Sequence, residues 1–275
     1  MINNNKILSG YFFYLILGCI FYLILQIADF PNKYTYTDWL INYEGGFVRR
    51  GLLGQVIFEI SNFFNIQIKY LILFFQISIY TTYFALFYIL ISKIKINFFW
   101  LLIIFSPILF LYPLAELEAL GRKDIFVISL FLIFSMINYK GINSLVFSFI
   151  FIFSLSSFIH EITIFYIFHY FFVFYVKKIF FIKEKMSVKY YLLFFLTISV
   201  LLYLNLYLHN FVIIENIVNS YDYEDFTAYS GSFSHISPSI NSVFFKTFYS
   251  IDMVAVIRYG FIFAVNIIPF IFFIK

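Results

Sequence analysis

Charge is scarce in this chain. Of its 275 residues 12% are charged and 63% hydrophobic, with a mean hydropathy of +0.95, whereas a soluble domain carries roughly 25% charged residues. That shortage excludes a soluble globule, because no water-surrounded core could hide so much apolar surface. Cysteine is nearly missing as well. Cys19 stands alone inside the first apolar block, which excludes an intrachain disulfide and a thiolate metal cluster; a packed core thiol is its plain reading. Histidine is rare, and His169 follows His160 by nine residues, so the i, i+4 pair of a zinc-protease helix is absent and neither metal nor cofactor is expected. The net charge of +4 is modest and gives nucleic-acid binding no support. No internal repeat stands out.

What is present is apolar and aromatic. The 44 Phe and 24 Tyr share AT-rich codons with Ile, Asn and Lys, which are abundant too, so codon bias accounts for most of them. The apolar residues fall in blocks of roughly 15 to 22, about what a helix needs to cross a hydrocarbon core. Helices are required there because lipid offers backbone groups no partners. The pattern predicts an all-α, polytopic bundle of about eight spans, near 8–27, 70–91, 98–113, 125–139, 145–158, 162–176, 190–208 and 256–274. All belong to one integral membrane domain over 1–275. The first block lacks a small-x-small cleavage site at its exit and is read as a retained anchor.

The distribution of charge sets an orientation, since cytoplasmic loops carry an excess of Lys and Arg. Alternating the spans from a cytoplasmic N-terminus gathers Lys6, Lys93, Lys95, Lys140, Lys177, Lys178, Lys183, Lys185, Lys189 and Lys275 on one side, against a single acid, Glu184. The other side receives the remaining basic residues, Arg49, Arg50 and Arg122 among them, and every other acid. Two long segments, 28–69 and 209–255, are then outer loops, and both termini are cytoplasmic. Asp222, Glu224 and Asp225 form an acidic patch in the second loop, best read as solvated; Asp252 and Arg258 flank the last span.

Length adds depth. A helix over 125–139 reaches only about 22 Å at 1.5 Å per residue, whereas 145–176 as one helix would extend about 48 Å. A break near Ser156, Ser157 and His160 resolves the second case and makes a hairpin whose tip, with His160 and Glu161, lies below the outer surface. A recessed polar pocket follows.

Three motifs could serve it. The first, Asp38 to Gly54 in the first outer loop, reads as a turn into an amphipathic helix. Val48, Leu52, Leu53, Val56, Ile57, Ile60, Phe63 and Phe64 form its apolar half, and Gly51, Gly54 and Gln55 lie on the polar half. Such a helix lies in the membrane interface. Gly45 and Gly46 allow a sharp turn, and Arg49 and Arg50 then sit at a helix start that favours an anion; planar guanidinium groups suit phosphate. Lipid headgroups, or a pair with Glu44, are the plainer partners for these arginines. Asp38 and Glu44 lie near the pocket mouth, where a carboxylate could take a hydroxyl proton. The second motif, Glu116 to Asp124, packs five charges into nine residues, costly near lipid unless they pair or line a cavity. Glu118 and Arg122 are spaced for a helical salt bridge, and Arg122 with Lys123 could equally hold a diphosphate. In the third, His160 and Glu161 could exchange protons, but adjacent helical residues point about 100° apart, and a hydrogen-bonded structural histidine is the alternative.

With these pieces the chain resembles bacterial membrane proteins that build polysaccharides from undecaprenyl-linked sugars: Wzy-type O-antigen and capsule polymerases, and glycosyltransferases of the GT-C fold. The resemblance rests on the acid-bearing first outer loop with its interfacial helix, the turn Gly121 to Asp124, and His160-Glu161 in a later span. It implies a cytoplasmic-membrane enzyme acting on a polyprenyl-linked sugar donor and a glycan acceptor, in contact with membrane lipid and possible partners in a polysaccharide assembly complex. Carried over, Arg49, Arg50, Arg122 and Lys123 hold phosphate, and Asp38, Glu44 or Glu161 is the base, with His160 beside them. The rivals are a transporter or flippase of a lipid-linked or anionic substrate, which alternating access would give polar residues on both sides of the midplane, a membrane acyltransferase using His160, and a structural subunit.

Overall fold

A computed structural model of the chain describes residues 4–30, 34–48, 50–95, 97–106, 109–184, 187–206 and 214–221. All lie within one compact unit, Met1–Ser237. The expected last span at 256–274, the acidic patch at 222–225, Asp252, Arg258 and Arg49 fall outside the described residues, so the expectation of one domain over 1–275 extends beyond them.

Every regular element among the described residues is helical. The long apolar blocks become α1 (Asn4–Gln26), α4 (Ile68–Ile91) and α8 (Ile142–Ile159). These three are long and apolar enough to cross a membrane. Between and after them come α2 (Tyr34–Leu40), α3 (Gly51–Phe64), α5 (Phe98–Ile104), α6 (Tyr112–Ala115), α7 (Asp124–Met136), α9 (Ile167–Lys177), α10 (Val188–Leu206) and α11 (Ile214–Asn219). The bundle forms by succession: α1 packs on α4, α4 on α7, α7 on α8, and α8 on α9 and α10. Cores of Phe, Leu, Ile and Tyr fill the seams, including Phe149 and Tyr170 between α8 and α9. Outward, large rings such as Tyr14 on α1, Phe74 on α4 and Phe147 on α8 remain more than half exposed, the arrangement expected where the surrounding solvent is apolar.

One expected span is not a single helix. Over 98–113 the chain makes α5, leaves the helix at Phe105 and Ser106, and among the described residues that follow is helical again in the single turn α6. The physical reason is in the sequence: Pro107 has no N–H to continue the ladder, and a residue before proline is disfavoured in the helical region. The break expected near Ser156, Ser157 and His160 falls at His160. Helix α8 ends at Ile159, His160 is extended, and Glu161–Tyr166 forms a 3-10 turn before α9. Ser156 Oγ and Tyr170 Oη, 3.2 Å apart, tie the two arms of this hairpin together.

The first long loop is more ordered than a turn before a helix. Helix α2 was not expected, and α3 buries only part of the apolar half of its wheel, together with two glycines of its polar half. Gly51, Leu53, Gly54 and Ile57 are buried, while Val56, Phe63 and Phe64 are exposed. The cause is close approach. A Cβ on Gly54 would sit 1.9 Å from the Ile41 carbonyl oxygen, and one on Gly51 2.3 Å from the Tyr43 ring. Glycine therefore decides which side of α3 meets the strand of chain at 39–43, and Gln55 locks it by accepting the Tyr43 N–H at 2.8 Å.

The two ends of α7 and α8 differ in chemistry. At the end marked by Ile137 and Ile142, Lys177 Nζ donates to the Ile137 carbonyl at 2.8 Å, Glu184 accepts the Ile142 N–H at 3.1 Å, and Tyr190 bonds Asn143. At the other end lie Asp124 and His160. Helix α7 separates the two ends by about 20 Å at 1.5 Å per residue. We expect Gly54→Ala to lower stability by about 1–3 kcal/mol through overpacking. Gly10→Ala, in α1 with nothing within 4 Å of the added methyl, should be neutral or slightly stabilising. Thermal unfolding of both variants in detergent checks this; equal melting temperatures would remove the close-approach account.

Candidate functional site

The site is built around one turn. Residues 117–121 form turns, and Gly121 has φ +89°, a left-handed conformation suited to glycine. Three buried side chains hold its peptide groups. Trp39 Nε1 donates to the Gly121 carbonyl at 2.6 Å and Gln76 Nε2 donates to the same oxygen at 2.9 Å. The Gly121 N–H donates to Tyr80 Oη at 3.0 Å. A Cβ here would meet Gln76 Nε2 at 2.7 Å. Helices α2 and α4 thus fix the chain immediately before Arg122, Lys123 and Asp124.

Those three residues then meet the other two motifs. Asp38, buried in α2, has Oδ1 3.3 Å from Arg50 Nη1 and 4.0 Å from Lys123 Nζ. Lys123 Nζ also donates to the Arg50 carbonyl at 2.8 Å, and its side chain is 0% exposed. Arg50 itself has φ 70° as the residue before α3, an uncommon conformation for a non-glycine residue, and the Lys123 bond falls on its own carbonyl. Beside this group, His160 Nε2 lies 2.9 Å from Asp124 Oδ1, a hydrogen bond when Nε2 carries the proton. Arg122 Nε is 3.8 Å from Asp124 Oδ2, and its guanidinium lies 5.8 Å from the centroid of the Tyr34 ring. Burial alone would raise the Asp124 carboxyl; the His160 hydrogen bond and charge, with Arg122 and Arg50, outweigh it and hold the group below the usual carboxylate range.

Sequence-predicted residues from three separate motifs therefore converge: Asp38, Arg50, Arg122, Lys123 and His160. Asp38 is not at an open mouth, as the loop reading had it, but sealed under α2 and α3, because Trp39 and Leu40 beside it belong to the core. Glu118 and Arg122 do not form the expected helical pair, since the chain between them is a series of turns and Arg122 reaches Asp124. Glu44 stands apart and exposed: Gln55 Nε2 donates to it at 3.3 Å, and its N–H donates to Asn42 Oδ1 at 3.1 Å. Glu161 begins the 3-10 turn after His160, and its side chain is outside the described residues.

Two features escaped the sequence reading. Trp39 drew no assignment and Gln76 and Tyr80 fell within the expected span 70–91; a polar Gln inside an apolar block is the signal that could have pointed to a partner. The second long loop also docks back: Asn42 Nδ2 donates to Ser220 Oγ at 2.9 Å and to Tyr221 Oη at 3.1 Å, and Tyr221 Oη donates to the Leu40 carbonyl at 2.6 Å. Beside the network, where Arg122 emerges, opens a cavity of about 850 Å³ bordered by Asp29, Tyr34, Glu116 and Glu118 among others. Among the described residues no group of three or more His, Cys, Asp and Glu is arranged to hold a metal ion. No protein-family model, curated protein or solved structure matches the chain.

Removing one member of a buried ion pair costs about 3–5 kcal/mol, because the other charge stays in a dry place. Asp38→Asn and Lys123→Met should each destabilise on that scale, and the double variant by clearly less than their sum, with a coupling of about 0.5–3 kcal/mol. A double-mutant cycle by chemical unfolding in detergent reads this. Strict additivity would mean that the two groups do not act on each other.

Proposed function

We propose that this chain is a bacterial inner-membrane enzyme that transfers or polymerises sugars from a polyprenyl phosphate or diphosphate donor, on the outer face of the membrane, for surface polysaccharide assembly. In this reading the lysine-rich end of α7 and α8 is cytoplasmic, as are both termini, the polar end faces outward, and α3 rests its exposed Val56, Phe63 and Phe64 in the outer interface. The eight-span topology belongs to the same proposal. Glycan acceptor and further assembly proteins are its partners.

The observation that carries the reading is Arg122. Its side chain is 43% exposed, and it stands between the buried network and the cavity. A guanidinium held by Asp124 and Tyr34 is preorganised for a phosphate oxygen. In transfer, the acceptor oxygen forms a bond to the anomeric carbon, the bond from that carbon to the phosphate oxygen breaks, and the acceptor proton passes to a carboxylate. Negative charge grows on the departing phosphate, and a fixed cation there lowers the barrier. Lys123 and Arg50 contribute by holding Arg122's turn and α3 in register. Of the base candidates from sequence, Asp38 is sealed in its ion pair and Glu44 stands apart, which leaves Glu161; Asp29 on the cavity wall joins it.

The test is surface glycan in cells. Arg122→Ala should abolish it while the protein persists in the membrane at its normal level. Arg122→Lys should retain a fraction, because charge survives and the planar fork does not. Glycan of normal amount and length in Arg122→Ala would remove the assignment.

A further inference from the structure

The two oxygens of Asp124 stand in different settings. Oδ1 is sealed from solvent and takes no hydrogen bond from any fixed donor among the described residues; what faces it is His160 Nε2 at 2.9 Å. Oδ2 lies 3.8 Å from Arg122 Nε. A sealed carboxylate oxygen without a donor is costly, so a proton of the imidazole belongs on Nε2. The helices favour the pair as well. Asp124 opens α7, where negative charge is stabilised, and His160 directly follows α8, where positive charge is. The backbone holds the imidazole in place: the His160 N–H donates to the Ser156 carbonyl at 2.9 Å, and its carbonyl accepts from Thr163 Oγ1 at 2.9 Å. Its side chain is 8% exposed. Of His160, Asp124 and Arg122, it is Arg122 that borders the cavity.

From this geometry we infer that His160 is a positioning residue for Arg122 and acts through Asp124: its Nε2–H fixes Oδ1, which keeps Oδ2 turned to the guanidinium at the cavity. The inference rests on the sugar-transfer reading and assigns the histidine its part in it. Because the ring faces a buried carboxylate oxygen rather than the cavity, His160 does not serve as the base. Loss of its donor leaves Oδ1 sealed and unpaired, so the carboxylate must rotate toward water or take up a proton. Either change releases Arg122. A guanidinium free to swing loses the preorganisation that stabilises a departing phosphate. The hairpin of α8 and α9, which carries no residue bordering the cavity among those described, is thereby joined to it through one side chain.

Two measurements test this. In the first, the full-length chain in lipid nanodiscs is treated with phenylglyoxal, and modification of each arginine is quantified by mass spectrometry. His160→Leu, which keeps bulk and removes the donor, should make Arg122 react about threefold faster or more, the scale of a partly exposed ion pair. His160→Gln, whose amide nitrogen stands as many bonds from Cβ as Nε2, should stay close to the original rate. Asp124→Asn should also quicken Arg122, and adding His160→Leu to it should change nothing further, the non-additivity of groups in one network. A histidine that only supports the fold would loosen the site in either background. Where His160→Leu does not accumulate, His160→Asn, polar but a bond too short for Oδ1, takes its place with the same expected result. An unchanged Arg122 rate in the donor-less variant, equal rates in it and in His160→Gln, or effects that multiply in the double variant would each overturn the inference. In the second, cells carrying His160→Leu should lose most of their glycan, and His160→Gln should retain a fraction. Normal glycan in His160→Leu, together with its loss in Arg122→Ala, would sink the positioning role and leave the transferase reading standing. Normal glycan in both would sink the two together.

Discussion

Lys123 carries an ammonium group into a place with no exposure to solvent, where Asp38 and the carbonyl of Arg50 receive it. Taking a charge out of water costs several kcal/mol even after relaxation, so the surrounding chain must be shaped to compensate it. That constraint reaches far. Asp38 must be held in α2, which requires Trp39 to reach the Gly121 carbonyl. Arg50 must turn into a left-handed conformation, which orients the start of α3. The turn at Gly121 must present Lys123 inward and Arg122 outward, which Gln76 and Tyr80 of α4 secure. Segments separated by dozens of residues thus become one polar end of an apolar bundle.

The same arrangement divides labour among residues that look alike in sequence. Arg122 and Lys123 are neighbours of equal charge, yet one is 43% exposed and the other 0%. Only the first can meet a ligand without rearrangement; the second positions. Asp38 and Glu44 precede the same glycine pair, yet Asp38 is buried in an ion pair and Glu44 is an exposed partner of Gln55. His160 contributes through Asp124, and that pair joins the hairpin tip to the start of α7. The chemistry proposed for this end depends on the contrast: a buried group behind the exposed Arg122 guanidinium, with carboxylates lining the space in front of it.

Much of this was legible beforehand because its causes are local. Apolar length gave the long helices, and the impossibility of one helix over 145–176 gave the break at His160. Charge crowding between two apolar blocks pointed to Gly121–Asp124. What was hidden depends on contacts between distant segments. No periodicity says that Gly51 and Gly54 will press against Ile41 and Tyr43 and so turn the glycines of α3 inward. Nothing at Asp38 alone says that Lys123 will seal it from solvent. The split of 98–113 was readable in Pro107, but apolar character outweighed it in a reading based on hydropathy. The docking of Ser220 and Tyr221 on Asn42 joins residues nearly two hundred positions apart and has no sequence signature.

The reactivity of Lys123 tests the buried pair most directly. When the folded chain in nanodiscs is treated with a membrane-permeant amine-acylating reagent and each lysine is quantified by mass spectrometry, Lys123 should stay unmodified while exposed Lys140 and Lys183 react. Asp38→Asn should make Lys123 reactive without changing the other two. Labelling of Lys123 at the rate of Lys140 in the unaltered chain would contradict the account.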